Sequence, residues 1–365
     1  MGFDNRRILY EKIESIRQRP LLVYVTSKRS GAEASMATDA LPFLIDQLDQ
    51  IPTTTKAVDF LISSLGGDPM VAWRIVSLLR ERLDDITVLV PHSAYSAATL
   101  LALGANQIVM HPNGNLGPVD MQISTFADGR PRNFSTEDIG AFVEFVKEEL
   151  LITDQKHLRK LFEATCREAG ALGVGFTARS SKLAIALGEK LLKMKNPAGG
   201  EDTTARILVE KLTRQFHSHN YPIGRKEALS MELSVNKERD TALEGLMWEI
   251  WLDLEKELKE REPFSPMIEL MNSPAAAELI SPIPQLTVPA NAPAPTMWQT
   301  DLGTMMGATK QVPPIDFEFT TAILESRRLA DTCLTRGKIL SCRLPDLNIQ
   351  YNQIVSFRGW QRVYQ

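Results

Sequence analysis

Between Leu21 and His111, four short apolar runs alternate with segments of helical periodicity. The runs are Leu21–Thr26, Ala57–Ser63, Ile86–Pro91 and Gln107–His111. Each is rich in Val, Ile or Leu and of strand length. Between them, Leu41–Ile51 repeats apolar residues at spacings of three and four. Met70–Leu83 does the same through Val71, Ile75, Leu78, Leu79 and Leu83. Ala97–Leu103 is built of small residues and suits a deeply buried helix. Strand–helix alternation at this pitch predicts βαβ units, a mostly parallel sheet and an α/β fold class.

After Asp120 the pattern changes. Helices are expected over Ser135–Leu151, Asp154–Ala169, Ala178–Met194, Thr203–Phe216, Arg225–Met231 and Arg239–Arg261. Prolines then cluster between Pro263 and Pro295, including the run VPANAPAP, which reads as an extended linker or wrapping arm. The last fifty or so residues predict short strands at Phe317–Glu325, Ala330–Thr335, Lys338–Arg343 and Ile349–Phe357. Turns are expected at Thr335–Lys338 and Leu344–Asn348. The 365 residues therefore divide as 1–262, a proline-rich arm at 263–314 and a small β module at 315–365.

The net charge of -4 does not argue for a nucleic-acid surface, which usually needs a basic face, so no nucleic-acid partner is expected. Three widely spaced cysteines, Cys166, Cys333 and Cys342, do not make a disulfide framework and fit a reducing compartment. A Cys333–Cys342 bridge would need the two residues on adjacent strands. The N-terminal stretch is charged and lacks an apolar signal core. No window resembles a membrane span, so a cytoplasmic location is expected.

Chemistry is suggested at the ends of the predicted strands. In DFLISSLGGD a strand runs into Gly66 and Gly67 before a helix. Paired glycines there let backbone N–H groups face a ligand, where they could hold a developing oxyanion. A tight strand-to-helix turn would look the same. The next strand runs into HSAYSAATLLALGA, with Ser96 at a helix start and the Ala97 N–H beside it. A serine in that position also serves as an ordinary N-cap. Asp120 follows a Gly-Pro pair, where an aspartate either caps a turn or orients a histidine.

Only five histidines are present. His219, in FHSHNYPIGRKEA, is the candidate base for Ser96, with His217 its close rival. No third ligand at a suitable spacing turns that pair into a metal site, so no metal or cofactor is expected. Lys147, on a predicted helix, is an alternative base, provided its amine is desolvated.

Taken together, SSLGGD, SAYSAATLLALGANQIVM and LGPVD resemble the crotonase/Clp-protease superfamily. Within it the chain is most similar to the serine dehydrogenase proteinase family, distant relatives of the Clp protease subunit. SHNYPIGRKEA resembles that family's histidine region, and the likeness runs from about Leu21 to Val235. The resemblance implies a spiral of βαβ units with a helical extension. It implies a Ser–Asp–His order carried by Ser96, Asp120 and His219, with Gly66, Gly67 and Ala97 in the oxyanion region. Met121 departs from the family pattern, which has proline there. The more distant signal peptide peptidases use a Ser–Lys dyad, which keeps Lys147 in play.

The function these features imply is a Clp-protease-like serine peptidase that cleaves peptides or proteins through an acyl-enzyme on Ser96. A homo-oligomer is expected, with Leu243, Leu246, Ile250 and Leu254 as one apolar face on offer. Two other readings stay open at this point. One is a non-catalytic scaffold on the same fold that binds a partner protein through its C-terminal module. The other is an acyl-CoA enzyme of the same superfamily, which holds a carbonyl between two N–H groups without a nucleophilic serine.

Overall fold

The computed structural model of the protein describes residues 2–119, 122–127, 130–195, 203–214, 216, 218–280, 309–344 and 347–364. Helix α1 (Phe3–Arg17) leads into β1 (Leu21–Thr26). A 3-10 turn (Thr38–Ala40), α2 (Leu41–Asp49), β2 (Ala57–Ser63), α3 (Pro69–Arg80) and β3 (Asp85–Val90) follow. Next come the short strand β4 (Ser93–Ala94), α4 (Ala97–Leu103), β5 (Gln107–Met110) and β6 (Asn115–Leu116). A hairpin of β7 (Gln122–Ala127) and β8 (Arg130–Ser135) precedes α5 (Thr136–Glu144), which runs on as a π-helical segment over Phe145–Glu149. Then come α6 (Gln155–Ala169), α7 (Ala171–Met194), α8 (Thr203–Arg214), β9 (Ile223–Gly224), α9 (Arg225–Ser230) and α10 (Thr241–Glu257). The chain ends with α11 (Pro266–Asn272), a 3-10 turn (Pro274–Leu279), and strands β10 (Lys310–Gln311), β11 (Ile315–Glu325), β12 (Ala330–Arg343) and β13 (Ile349–Tyr364).

The fold is mixed α/β. Strands β1, β2, β3 and β5 lie side by side and parallel, as the alternation predicted. Because the strand period is two, each buried strand sorts its side chains onto two faces. Leu22, Tyr24, Phe60, Ile62, Val88, Val90 and Met110 pack on one face against α2, α3, α4 and α7. Leu21, Val23, Val25, Leu61, Leu89 and Val109 pack on the other against α1 and α10. The three connecting helices α2, α3 and α4 all lie on the first face. Local signals place their starts: Asp68 caps α3 by accepting from the Met70 N–H at 2.8 Å, and Pro69 follows it, where no N–H is needed.

The C-terminal strands differ from the sequence reading. They continue the main sheet, because β11 pairs antiparallel with β1 (Val25 opposite Ile323), β12 with β11 and β13 with β12. The expected turn at Thr335–Lys338 lies inside β12. Gly337 there marks a close approach: a Cβ would run into the Ile354 carbonyl oxygen and come within 2.8 Å of the Phe317 ring. Cys333 and Cys342 sit on that one strand, about 30 Å apart at the rise of an extended chain, and both are free thiols. The segment read as an extended arm opens with α11 and a 3-10 turn, whose Leu270, Ala276 and Leu279 are buried. Pro266 and Pro274 each stand at the start of a helical turn, where proline is tolerated. The VPANAPAP run lies outside the described residues. The apolar face of α10 is used internally, with Leu243, Ile250 and Leu254 in the core. No helix among the described residues is long and apolar enough to cross a membrane.

Candidate active site

A second, three-stranded sheet sits beyond the main one, in the order β4, β6, β9. Strand β4 runs parallel to β6, and β6 runs antiparallel to β9 (Leu116 opposite Ile223). The chain therefore leaves β4 towards Ser96, and leaves β6 towards the LGPVD phrase, at one end of this sheet. It enters β9 from that same end, out of the turn holding His219. The Val119 N–H donates to the Leu212 carbonyl at 2.9 Å, tying the LGPVD phrase to the end of α8. Asp120 and His217 lie outside the described residues; His219 is half-buried.

Ser96 is the last residue of the strand-to-helix turn, immediately before α4, with φ 52° and ψ -115°. An ordinary N-cap serine has extended backbone and accepts a helix N–H through its hydroxyl. Ser96 has neither feature, since its side chain makes no capping hydrogen bond. A non-glycine residue in this region of backbone space is strained by about 1–3 kcal/mol and persists only where its surroundings over-determine it. The surroundings here do so. The Ala98 N–H donates to the Tyr95 carbonyl at 2.9 Å, and the Leu100 N–H to the Ser96 carbonyl at 3.1 Å. Thr99, fully buried in α4, places its hydroxyl 2.7 Å from the Ala94 carbonyl and 2.8 Å from the Gly117 carbonyl, and accepts from the Gly117 N–H at 3.1 Å.

Gly66 lies directly against this elbow and Gly67 follows it, both at positive φ (104° and 150°). A Cβ on Gly66 would stand 2.7 Å from the Ser96 Cβ and 3.0 Å from the Ala97 nitrogen. A Cβ on Gly67 would collide with the Met36 backbone. Met36 clamps the pair, donating its N–H to the Gly66 carbonyl at 2.7 Å and accepting from the Asp68 N–H at 3.0 Å. The Gly66 N–H is itself committed to Ser64 Oγ at 3.0 Å. Ser64 Oγ also lies 2.7 Å from Thr26 Oγ1, and the Ser64 backbone donates to the Ser93 carbonyl and accepts from the Tyr95 N–H. A half-buried serine at a helix mouth thus lies beside Gly66, in a glycine turn fixed by backbone hydrogen bonds. Lys147 is in the π-helical segment and is exposed.

Met36, Ser64 and Thr99 were not among the candidates read from the sequence. Met36 sits in a segment without periodicity. Thr99 had one usable signal, a hydroxyl inside a helix otherwise made of Ala and Leu.

An α/β sheet with a serine at a strand-to-helix elbow is the class these features define. Residues 47–130, which hold the glycine pair, Ser96 and the LGPVD phrase, match the model of the ClpP-like SDH-type serine proteinases. The resemblance read from the motifs is thus found independently over that stretch. The uncharacterized protein MJ1495 of Methanocaldococcus jannaschii is 28% identical over 184 residues, 50% of this chain and 53% of that protein. The uncharacterized protein MJ0137 of the same organism is 39% identical over 71 residues, 20% of this chain and 25% of that one. The chain thus spans about half of the first relative's length and a quarter of the second's. Two solved structures of variants of the 1510-N membrane-bound stomatin-specific protease, one with a substrate peptide, are 14% identical. They cover 62% and 60% of this chain and 84% and 77% of their own, with TM-scores of 0.34 and 0.33.

Proposed function

We propose that this chain is a Clp-protease-like serine peptidase with Ser96 as its nucleophile. The observation that carries the reading is the Ser96 elbow: its strained backbone, uncapped hydroxyl and close approach to Gly66. In the proposed reaction His219 takes the Ser96 proton as Oγ attacks a peptide carbonyl, and Asp120 orients the imidazole. The amine then leaves with a proton from the imidazole, and water resolves the acyl-enzyme. Because the Gly66 N–H is directed at Ser64, the oxyanion donors in this scheme are the N–H groups of Gly67 and Ala97, and Gly66 serves the close approach. The exposure of Lys147 favours His219 over a Ser–Lys dyad, which needs a desolvated amine. The placement of α2, α3 and α4 on one face supports a Clp-type spiral of βαβ units.

A cytoplasmic location and a homo-oligomer belong to the same proposal. The number of large apolar side chains exposed in the α5–α7 region, among them Phe142, Phe145, Leu151, Phe162, Leu172 and Phe176, supports the second. The test is labelling with a fluorophosphonate probe followed by peptide mapping. The expected adduct is on Ser96, lost in Ser96→Ala; a variant that still reacts, or still cleaves peptides, overturns the assignment.

A further inference from the structure

We infer that Lys28 is a positioning residue for the Ser96 elbow, acting through His92 and Ser93; this rests on reading Ser96 as the nucleophile. Lys28 follows β1, and its side chain is 14% exposed. Its ammonium lies 3.1 Å from His92 Nδ1, 3.2 Å from Ser93 Oγ and 3.3 Å from a Glu260 carboxylate oxygen. An ammonium has three protons to donate, and these three acceptors take all of them. His92 Nδ1 is therefore an acceptor, which makes the imidazole neutral with its proton on Nε2. Burial first and the Lys28 charge second, together with His111 and against Glu255, push the His92 pKa down to about 4, in keeping with that assignment.

The cluster is rigid on its remaining side. The His92 ring stacks on Trp251 at 4.2 Å and 7°, and the Lys28 ammonium lies 5.4 Å from the centre of the same indole. Trp251 is buried in α10, so an element on the far face of the sheet backs the cluster. Ser93 is buried as well, and β4 begins with it. Its carbonyl accepts the Ser64 N–H at 2.8 Å, and Ser64 in turn holds the Tyr95 N–H at 3.0 Å and the Gly66 N–H at 3.0 Å. Lys28 thus anchors the chain just before the elbow and, through Ser64, the glycine turn opposite it. Without that anchor the backbone at Ser96 can relax from its strained conformation. The loss would fall on the reactivity of Ser96 more than on ligand affinity.

The test measures fluorophosphonate labelling of the full chain as a function of probe concentration, for wild type, Lys28→Met, Ser93→Ala and the double variant. The expected result is a fall in the saturated labelling rate of about tenfold or more in each single variant. The half-saturating probe concentration stays unchanged, and the double variant is no slower than the worse single one. A folded Lys28→Met that labels Ser96 at the wild-type rate overturns the inference and leaves the nucleophile assignment standing. If Lys28→Met does not fold, Ser93→Ala decides by the same reading. Labelling that survives Ser96→Ala defeats the nucleophile assignment and this inference with it.

Discussion

At the scale of residues, the site is a matter of one strained backbone and the atoms that enforce it. Ser96 holds φ 52° because Gly66 offers no Cβ where Ser96 and Ala97 press against it. Gly66→Ala should therefore act twice. It places a methyl 2.7 Å from the Ser96 Cβ and puts an alanine at φ 104°. A loss of about 1–3 kcal/mol is expected from overpacking and backbone strain together, read as a lower midpoint in denaturant unfolding. Labelling of Ser96 should fall by more than that stability loss explains; an unchanged labelling rate would show that the glycine turn does not shape the elbow. Ser96, Gly66 and Gly67 were legible in the sequence because each stands at the end of a recognisable strand, in a residue type with few other reasons to be there. Met36, Lys28 and Ser93 were not legible. Their roles come from contacts between the ends of different strands, and such contacts leave no local pattern.

At the scale of elements, periodicity carried most of the information. The four parallel strands and the helices between them follow the apolar spacing closely, because buried strands and amphipathic helices must match their period to the face they cover. The reading failed where a glycine had two meanings, as at Gly337, and where alternation was weak, as in the β7–β8 hairpin. Helix α1 was overlooked because its charged exterior masked the few residues it buries, Arg6, Tyr10 and Ile13. The junction of β4, α4 and β6 depends on Thr99, whose hydroxyl meets two carbonyls and the Gly117 N–H. Thr99→Val keeps the shape and removes the hydroxyl. The Gly117 N–H keeps the Ala94 carbonyl at 3.2 Å, but the buried Gly117 carbonyl loses its hydroxyl donor, at a cost of about 1–3 kcal/mol. Calorimetry should show the loss as a lower Tm, with slower Ser96 labelling at temperatures where the variant is folded. A Tm equal to wild type would mean that the junction is held by its backbone bonds alone.

At the scale of the whole molecule, the N-terminal helix, α10 and the C-terminal strands are joined by one buried group. The Arg6 guanidinium, 1% exposed, lies between Glu325 of β11 (2.7 Å) and Asp253 of α10 (2.8 Å), and the Tyr10 hydroxyl donates to Glu325 at 2.7 Å. Removing one member of such a cluster strands the others without compensation, which typically costs about 3–5 kcal/mol. The same strand, β11, covers the edge of β1, whose six residues are all buried. A chain truncated after Glu262 would therefore lose Glu325 from the Arg6 cluster and leave the hydrogen-bonding edge of β1 open. It would also lose Ile323 from the core. Truncation at that point should abolish the cooperative thermal transition and give aggregated material, seen by circular dichroism and light scattering. A monodisperse truncated chain that melts cooperatively and labels at Ser96 would show instead that β1 needs no cover. The C-terminal strands would then be free to serve recognition, in place of holding together the sheet on which the elbow is built.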